Sequence, residues 1–280
     1  MRFEKPIKLQ EAYSILATGD WEVLAGGTDF YPSLNGRAPQ SNVLDITNLK
    51  SIKGISRDKN GDWHIGALTT WTDVIEEDLP SSFNGLKLSA SEVGSVQIQN
   101  RATVVGNICN ASPAADGVPP LLTLGAQVKI GSLAGERRIP LSYFIQGNRR
   151  TALKPGEIVI GLVLPENSTS GVSSFLKLGA RKYLVISISM AASRLHISDG
   201  RILDAAIAVG SCSLVAQRLL NLETLIIGKE ATSDIIELIN EDHFTNLAAI
   251  DDVRATKDYR MYAAQEMVVR VLTRTLEATI

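Results

Sequence analysis

Apolar and polar positions alternate in short blocks through the first half of the chain and settle into longer runs in the second. "EVLAG" (22–26), "NVLDIT" (42–47) and "DWHIGAL" (62–68) each read as a short strand, and "TTWTDVIEED" (69–78) opens with the Thr and Asp residues that suit a helix start. The polar run "SRDKNGD" (56–62) is a hairpin-like turn and a candidate subdomain boundary. "LLTLGAQVKIGS" (121–132) predicts a short helix passing into a strand, and "EIVIGLVLP" (157–165) a strong strand closed by Pro165. "ENSTSG" (166–171) is the best linker candidate. Beyond it, residues 187–211 predict two long strands joined at the Asp199-Gly200 turn. The last block places Tyr259, Tyr262, Ala263, Met267, Val271 and Leu272 at helical spacing, an amphipathic closing helix. No internal repeat or low-complexity tract interrupts this pattern, whose character is α+β or α/β.

A chain of 280 residues can bury a large core, and its length suggests about two domains. A formal net charge of −2 with scattered Lys and Arg offers no basic face for nucleic acid and no polybasic membrane patch. The charged opening "MRFEKPIKLQEAYSIL" lacks a signal-peptide apolar region, and no later run approaches the length of a membrane span, so a cytoplasmic protein is expected. The two cysteines, Cys109 and Cys212, form no CxxC pair and are too few for a disulfide framework, a thiolate metal site or an iron–sulfur cluster.

Two glycine-bearing segments carry the candidate chemistry. In "VLAGGTDF" (23–30) a short strand ends at Gly26-Gly27, where backbone without Cβ can adopt φ > 0 and a ligand can come close. Thr28 and Asp29 follow where a helix would begin, so the turn could present successive N–H groups to a phosphate. By themselves these eight residues are better read as a plain strand-to-helix turn. The second segment, residues 100–128, is rich in small residues and poor in charge. Gly106 and Asn107 suggest a second tight loop, and Ser112-Pro113-Ala114-Ala115-Asp116 a rigid turn before the Pro119-Pro120 helix start. Two such loops could grip one dinucleotide, with Asp116 suited to ribose hydroxyls. Neither segment matches a P-loop or GxGxxG.

"LAGGTDF" (24–30), "TVVGNICNASPAADGVPPLLTLGA" (103–126) and "FLKLGARK" (175–182) together resemble the FAD-binding medium subunit of molybdenum hydroxylases, the family of xanthine, nicotinate and carbon monoxide dehydrogenase flavoprotein subunits. The resemblance runs in order along essentially the whole chain. It implies an α+β fold: an FAD-binding domain over 1–170, with subdomains of about 1–56 and 57–170, then an α+β C-terminal domain over 171–280. It also implies that Val23, Leu24, Ala25, Gly26, Gly27, Thr28, Asp29 and Phe30 wrap the FAD pyrophosphate, completed by Thr103, Gly106 and Asn107. Asp116 would hold the ribose region, with further contributions from Gly94, Arg150, Val159 and Lys177. The implied role is electron transfer. A small partner subunit with two [2Fe-2S] clusters and a large one with the molybdenum cofactor would complete the complex. One departure is Val105, where many relatives carry a glycine before the Gly-Asn pair. Another is "RKYLVISISMAA" (181–192), closer to the xanthine and nicotinate pattern, which points toward an N-heterocyclic substrate of the complex. Two other readings remain: a stand-alone FAD oxidoreductase of the same broad fold, and an interaction protein that has lost its flavin.

No side chain is expected to act as a catalytic acid or base. His64, His196 and His243 lack metal-ligand spacing, Glu76-Glu77-Asp78 suits a solvated face, and Ser112 lacks a GxSxG elbow. Cys109 reads as a small core thiol and Ser142-Tyr143-Phe144 as packing.

Overall fold

The computed structural model describes residues 1–279. The chain opens with a three-stranded sheet of β1 (Phe3–Glu4), β2 (Trp21–Leu24) and β3 (Asn42–Asp45), in the order β1-β3-β2 with parallel neighbours. Parallel strands need a crossover, and α1 (Leu9–Leu16) supplies the first, burying Ala12, Tyr13 and Leu16. The second crossover contains the single turn α2 (Phe30–Ser33).

Next comes a five-stranded sheet, ordered β4-β5-β10-β6-β7, from β4 (Ile55–Arg57), β5 (Trp63–Gly66), β6 (Gln127–Ser132), β7 (Gly135–Pro140) and β10 (Ile158–Leu164). All its neighbouring strands are antiparallel, and β10 runs through the middle, buried along its whole length as its unbroken apolar run requires. The turn at 56–62 closes the β4–β5 hairpin within this sheet, and the chain passes from one sheet to the other earlier, over 46–54. A polar turn marks a reversal of the chain, which need not be a change of sheet. Between β5 and β6 lie α3 (Trp71–Glu76), α4 (Asn84–Glu92), α5 (Val96–Gln99), α6 (Val104–Asn110) and α7 (Val118–Thr123). The first of these begins on a capping box between Thr70 and Asp73. Between β7 and β10, α8 (Leu141–Phe144) leads into a small hairpin, β8 (Ile145–Gly147) with β9 (Arg150–Thr151).

The C-terminal sheet has the order β11-β12-β13-β14, from β11 (Val172–Leu178), β12 (Ser189–Ser198), β13 (Arg201–Gly210) and β14 (Gln217–Arg218). Asp199 and Gly200 turn the β12–β13 hairpin with φ of +51° and +72°, the primed-turn geometry an Asp-Gly pair favours. Helices α9 (Leu220–Ile226), α10 (Asp234–Glu237) and the long α11 (Lys257–Glu277) follow. On one face α11 packs against the sheet through Ala264, Met267, Val268, Val271 and Leu272. On the other, α4 and α7 lie against β11, β12 and β13. Tyr259 and Tyr262, placed by spacing on the apolar stripe of α11, are instead exposed: they sit at the margin of the stripe near the helix start, where no element covers them. Among the described residues no helix is long and apolar enough to cross a membrane.

Candidate functional site

The glycine turn leaves the carboxyl end of β2, the end at which open parallel sheets commonly receive ligands. Gly26 lies so close to the backbone of Arg101 and Ala102 that any Cβ would collide with the Arg101 carbonyl. Gly27 has φ of +75°, which L side chains disfavour. The two glycines therefore serve different needs, close approach and a left-handed turn. Among the described residues, the N–H groups of Gly26, Gly27, Thr28 and Asp29 donate to no protein acceptor. They lie in the lining of a cavity of about 560 Å³.

Helix α6 lines the same cavity. Its first residues were expected to form a tight loop at Gly106 and Asn107; the structure makes them helix, with Thr103 as N-cap accepting from the Gly106 N–H at 2.9 Å. Val105, buried in the same turn, lines the cavity from inside a helix, so its branching restricts no loop. Asn107 Oδ1 is buried without a hydrogen-bond partner, as is Nε1 of Trp71, and both residues line the cavity. Both atoms are covered by protein, Asn107 Oδ1 on the side of Gly117, which is outside the lining. Apolar side chains of Ile46, Val93, Ile98, Leu153 and Ile158 complete the walls. Glu157, also in the lining, accepts from Arg137 Nε and Nη2 at 2.7 Å, and these bonds hold its carboxyl below the usual range.

Of the residues singled out from sequence, the cavity gathers Val23, Ala25, Gly26, Gly27, Thr28, Asp29, Phe30, Thr103, Gly106, Asn107 and Val159. Leu24 is buried and outside the lining. Gly94 is also outside it; with φ of +55° it shapes the turn between Val93 and Ile98, which do line it. Arg150 stands exposed on β9, and its neighbour Arg149 reaches the cavity. Arg149 Nη1 and Nη2 lie 2.6 and 3.2 Å from the two carboxylate oxygens of Asp29, and this bonding raises the guanidinium pKa further above its ordinary value. Sequence offered only an Arg-Arg pair without a facing direction. Trp71 and Glu157 could have been noticed, the first directly after the helix N-cap Thr70 and the second just before the apolar strand.

Asp116 and Lys177 do not line the cavity. Lys177 Nζ is 2.5 Å from Asp116 Oδ2, Ser187 Oγ donates to Oδ1 at 2.5 Å, and the side chains of the pair are 9% and 6% exposed. Burial pushes the Asp116 carboxyl up, against the opposing pull of Lys177 and the Ser187 hydroxyl. The pair stands directly behind the cavity wall, because Lys177 Nζ also reaches the carbonyl of Glu92, next to Val93. The histidines form no site: His64 bonds Asp58 at 2.9 Å, and no metal-holding cluster of His, Cys, Asp or Glu exists among the described residues. Burial pushes the Cys109 thiol up to about 12 and keeps it protonated.

Comparison with known proteins fits this geometry. Residues 1–167 match the family described as the FAD binding domain in molybdopterin dehydrogenase, and residues 174–275 match the CO dehydrogenase flavoprotein C-terminal domain. The chain is 28% identical over 280 residues to a xanthine dehydrogenase FAD-binding subunit of Escherichia coli O157:H7, covering 99% of this chain and 96% of that one. It is 35% identical over 195 residues to the nicotinate dehydrogenase FAD-subunit of Eubacterium barkeri, covering 68% and 66%. A solved structure of carbon monoxide dehydrogenase from Hydrogenophaga pseudoflava has the same fold, with a TM-score of 0.90 at 24% identity over 100% of this chain and 98% of that one.

Proposed function

The chain belongs to the family of FAD-binding medium subunits of molybdopterin-dependent dehydrogenases, and from that premise we propose that it is the electron-transfer flavoprotein of a three-part complex. It would take electrons from two [2Fe-2S] clusters of a small partner subunit and pass them to an acceptor. A large subunit with the molybdenum cofactor would oxidise the substrate. The names of the xanthine and nicotinate relatives, together with the "RKYLVIS" run, favour an N-heterocycle as that substrate. A cytoplasmic location belongs to the same reading.

The observation that carries the reading is the run of four N–H groups without a protein acceptor at Gly26, Gly27, Thr28 and Asp29, in the lining of one cavity that the first turns of α6 also line. That donor set fits FAD. The four N–H groups would donate to its pyrophosphate oxygens, and the apolar walls would exclude water from the rings. Thr103 keeps α6 capped and so holds Asn107 in place. Val23, Ala25, Phe30, Gly106 and Val159 would shape the rest of the contact surface. Asp116 and Lys177, with Gly94, would act from behind the wall by fixing the segment around Val93. When bound, the flavin supplies the ability to accept and release electrons; the chain supplies position and surroundings. With only Cys109, half-buried in the cavity lining, and the buried Cys212, the chain has too few thiols, and the cluster ligands must come from a partner.

The test is co-expression with the neighbouring open reading frames and purification through a tag on this chain. Iron and molybdenum should co-purify, and an N-heterocycle should bleach the flavin band only in the assembled complex. Turnover by the lone metal-free chain would overturn the reading in favour of a stand-alone oxidoreductase. The flavin released on denaturation should be FAD, in keeping with the FAD-binding family model that residues 1–167 match; recovery of FMN alone would refute this.

A further inference from the structure

Asp29 is out of place in a cradle for an anion. The residue lies in the lining, last of the four with unpaired N–H groups, and a fixed negative charge so near them works against a phosphate ligand. The charge that answers it comes from 120 residues away. Arg149 makes two bonds to the Asp29 carboxylate and donates a third to Asn110 Oδ1 on the last residue of α6. Its backbone N–H is tied to Ala111 O at 3.0 Å, and the residue holds φ of +57°, a conformation uncommon for a side chain of this size. Strain of this kind persists only where surrounding bonds over-determine it.

We propose that Arg149 is the charge-compensating residue of the cofactor cradle: by pairing with Asp29 it removes the repulsion that would otherwise keep the FAD phosphates off the N–H groups of residues 26–29. It is a positioning residue, acting through Asp29. The inference rests on the reading of the cavity as the FAD site. Fold stability does not explain the pair, because the two side chains are 57% and 51% exposed, and exposed ion pairs contribute little to folding. The same exposure leaves variants here folded.

The test is titration of the flavin-stripped full chain with FAD, followed by flavin fluorescence, at low and high salt, with thermal melts to confirm folding. Arg149→Ala should bind FAD roughly tenfold to a hundredfold more weakly at low salt, and the loss should shrink as salt screens the exposed Asp29 charge. Arg149→Lys should keep most of the affinity. Asp29→Asn should stay within about threefold of the wild type, and Arg149→Ala/Asp29→Asn should recover to about the same level, since the repulsion has gone with its source. An Arg149→Ala chain that binds as tightly as the wild type overturns the proposal. So does a double variant as weak as Arg149→Ala, which would make Arg149 a direct phosphate ligand. A folded wild type that takes up no FAD overturns the reading of the cavity itself.

Discussion

The seam beneath the C-terminal sheet and the cavity behind the glycine turn are a few residues apart, and they treat polar groups in opposite ways. At the seam, buried charges are joined to each other or to carbonyls. Asp116 meets Lys177 and Ser187; Arg194, 3% exposed, reaches the carbonyls of Thr123 and Ser170; Glu223 holds Arg218, which donates to Leu122 O. Arg194 and Arg218 thereby cap the carboxyl end of α7 from the C-terminal sheet. In the cavity, by contrast, four backbone N–H groups have no protein partner among the described residues, and two lining residues, Asn107 and Trp71, each keep a buried polar atom unpaired. Burial without pairing costs stability, so the cavity is tolerated for what it binds, whereas the paired seam holds the parts of the chain together.

The comparison is broken most severely at the seam. Lys177→Met should lower unfolding free energy in urea by about 3–5 kcal/mol, because it leaves the Asp116 carboxylate buried with only a hydroxyl. Adding Asp116→Asn should restore much of it; a single variant as stable as the wild type would show that the pair holds nothing. Gly27→Val should do the reverse, weakening FAD by roughly a hundredfold while circular dichroism stays native, since a β-branched residue disfavours φ of +75°. The Cβ itself would meet only the ring edge of Tyr31, an exposed side chain able to move, so backbone conformation and not space is the obstacle. Full flavin occupancy in a folded Gly27→Val chain would remove the turn from the site.

The smallest effect belongs to Glu157, a paired group in the lining of the cavity. Its carboxyl is depressed below 4.5 by Arg137, so its contribution is complete above that pH and disappears as pH falls through the lower folded value. Glu157→Gln should therefore flatten the acid limb of stability below about pH 4.5, by about 1 kcal/mol or less, and leave neutral pH changed chiefly by the lost ion pair. Urea midpoints from pH 3 to 7 measure this, and an unchanged acid limb would show that Arg137 does not set the titration.

Local pattern carried much of the fold. Asp199-Gly200 specified a turn that both residues adopt, the apolar run at 158–164 specified a strand, and the Thr and Asp residues at 69–73 specified a helix start. Each depends on a few neighbouring residues and on backbone preferences that act within them. The glycine turn was legible for the same reason. Exposure of Tyr259 and Tyr262 was not, because helical spacing defines a stripe and only the packed elements define how far it is covered. Nor was the helical state of Gly106 and Asn107, set by a cap at Thr103 and by the backbone bond from Val104 to Thr69.

The sequence by itself determined most of the long secondary elements, the two glycines where a side chain cannot stand, and the absence of enough thiols to hold a cluster. The tertiary structure decided which polar groups meet. Asp116 and Lys177 are 61 residues apart and Asp29 and Arg149 are 120 apart. No periodicity links positions so distant, and whether a charge is answered or left facing a cavity depends on distances that exist only once the sheets have packed.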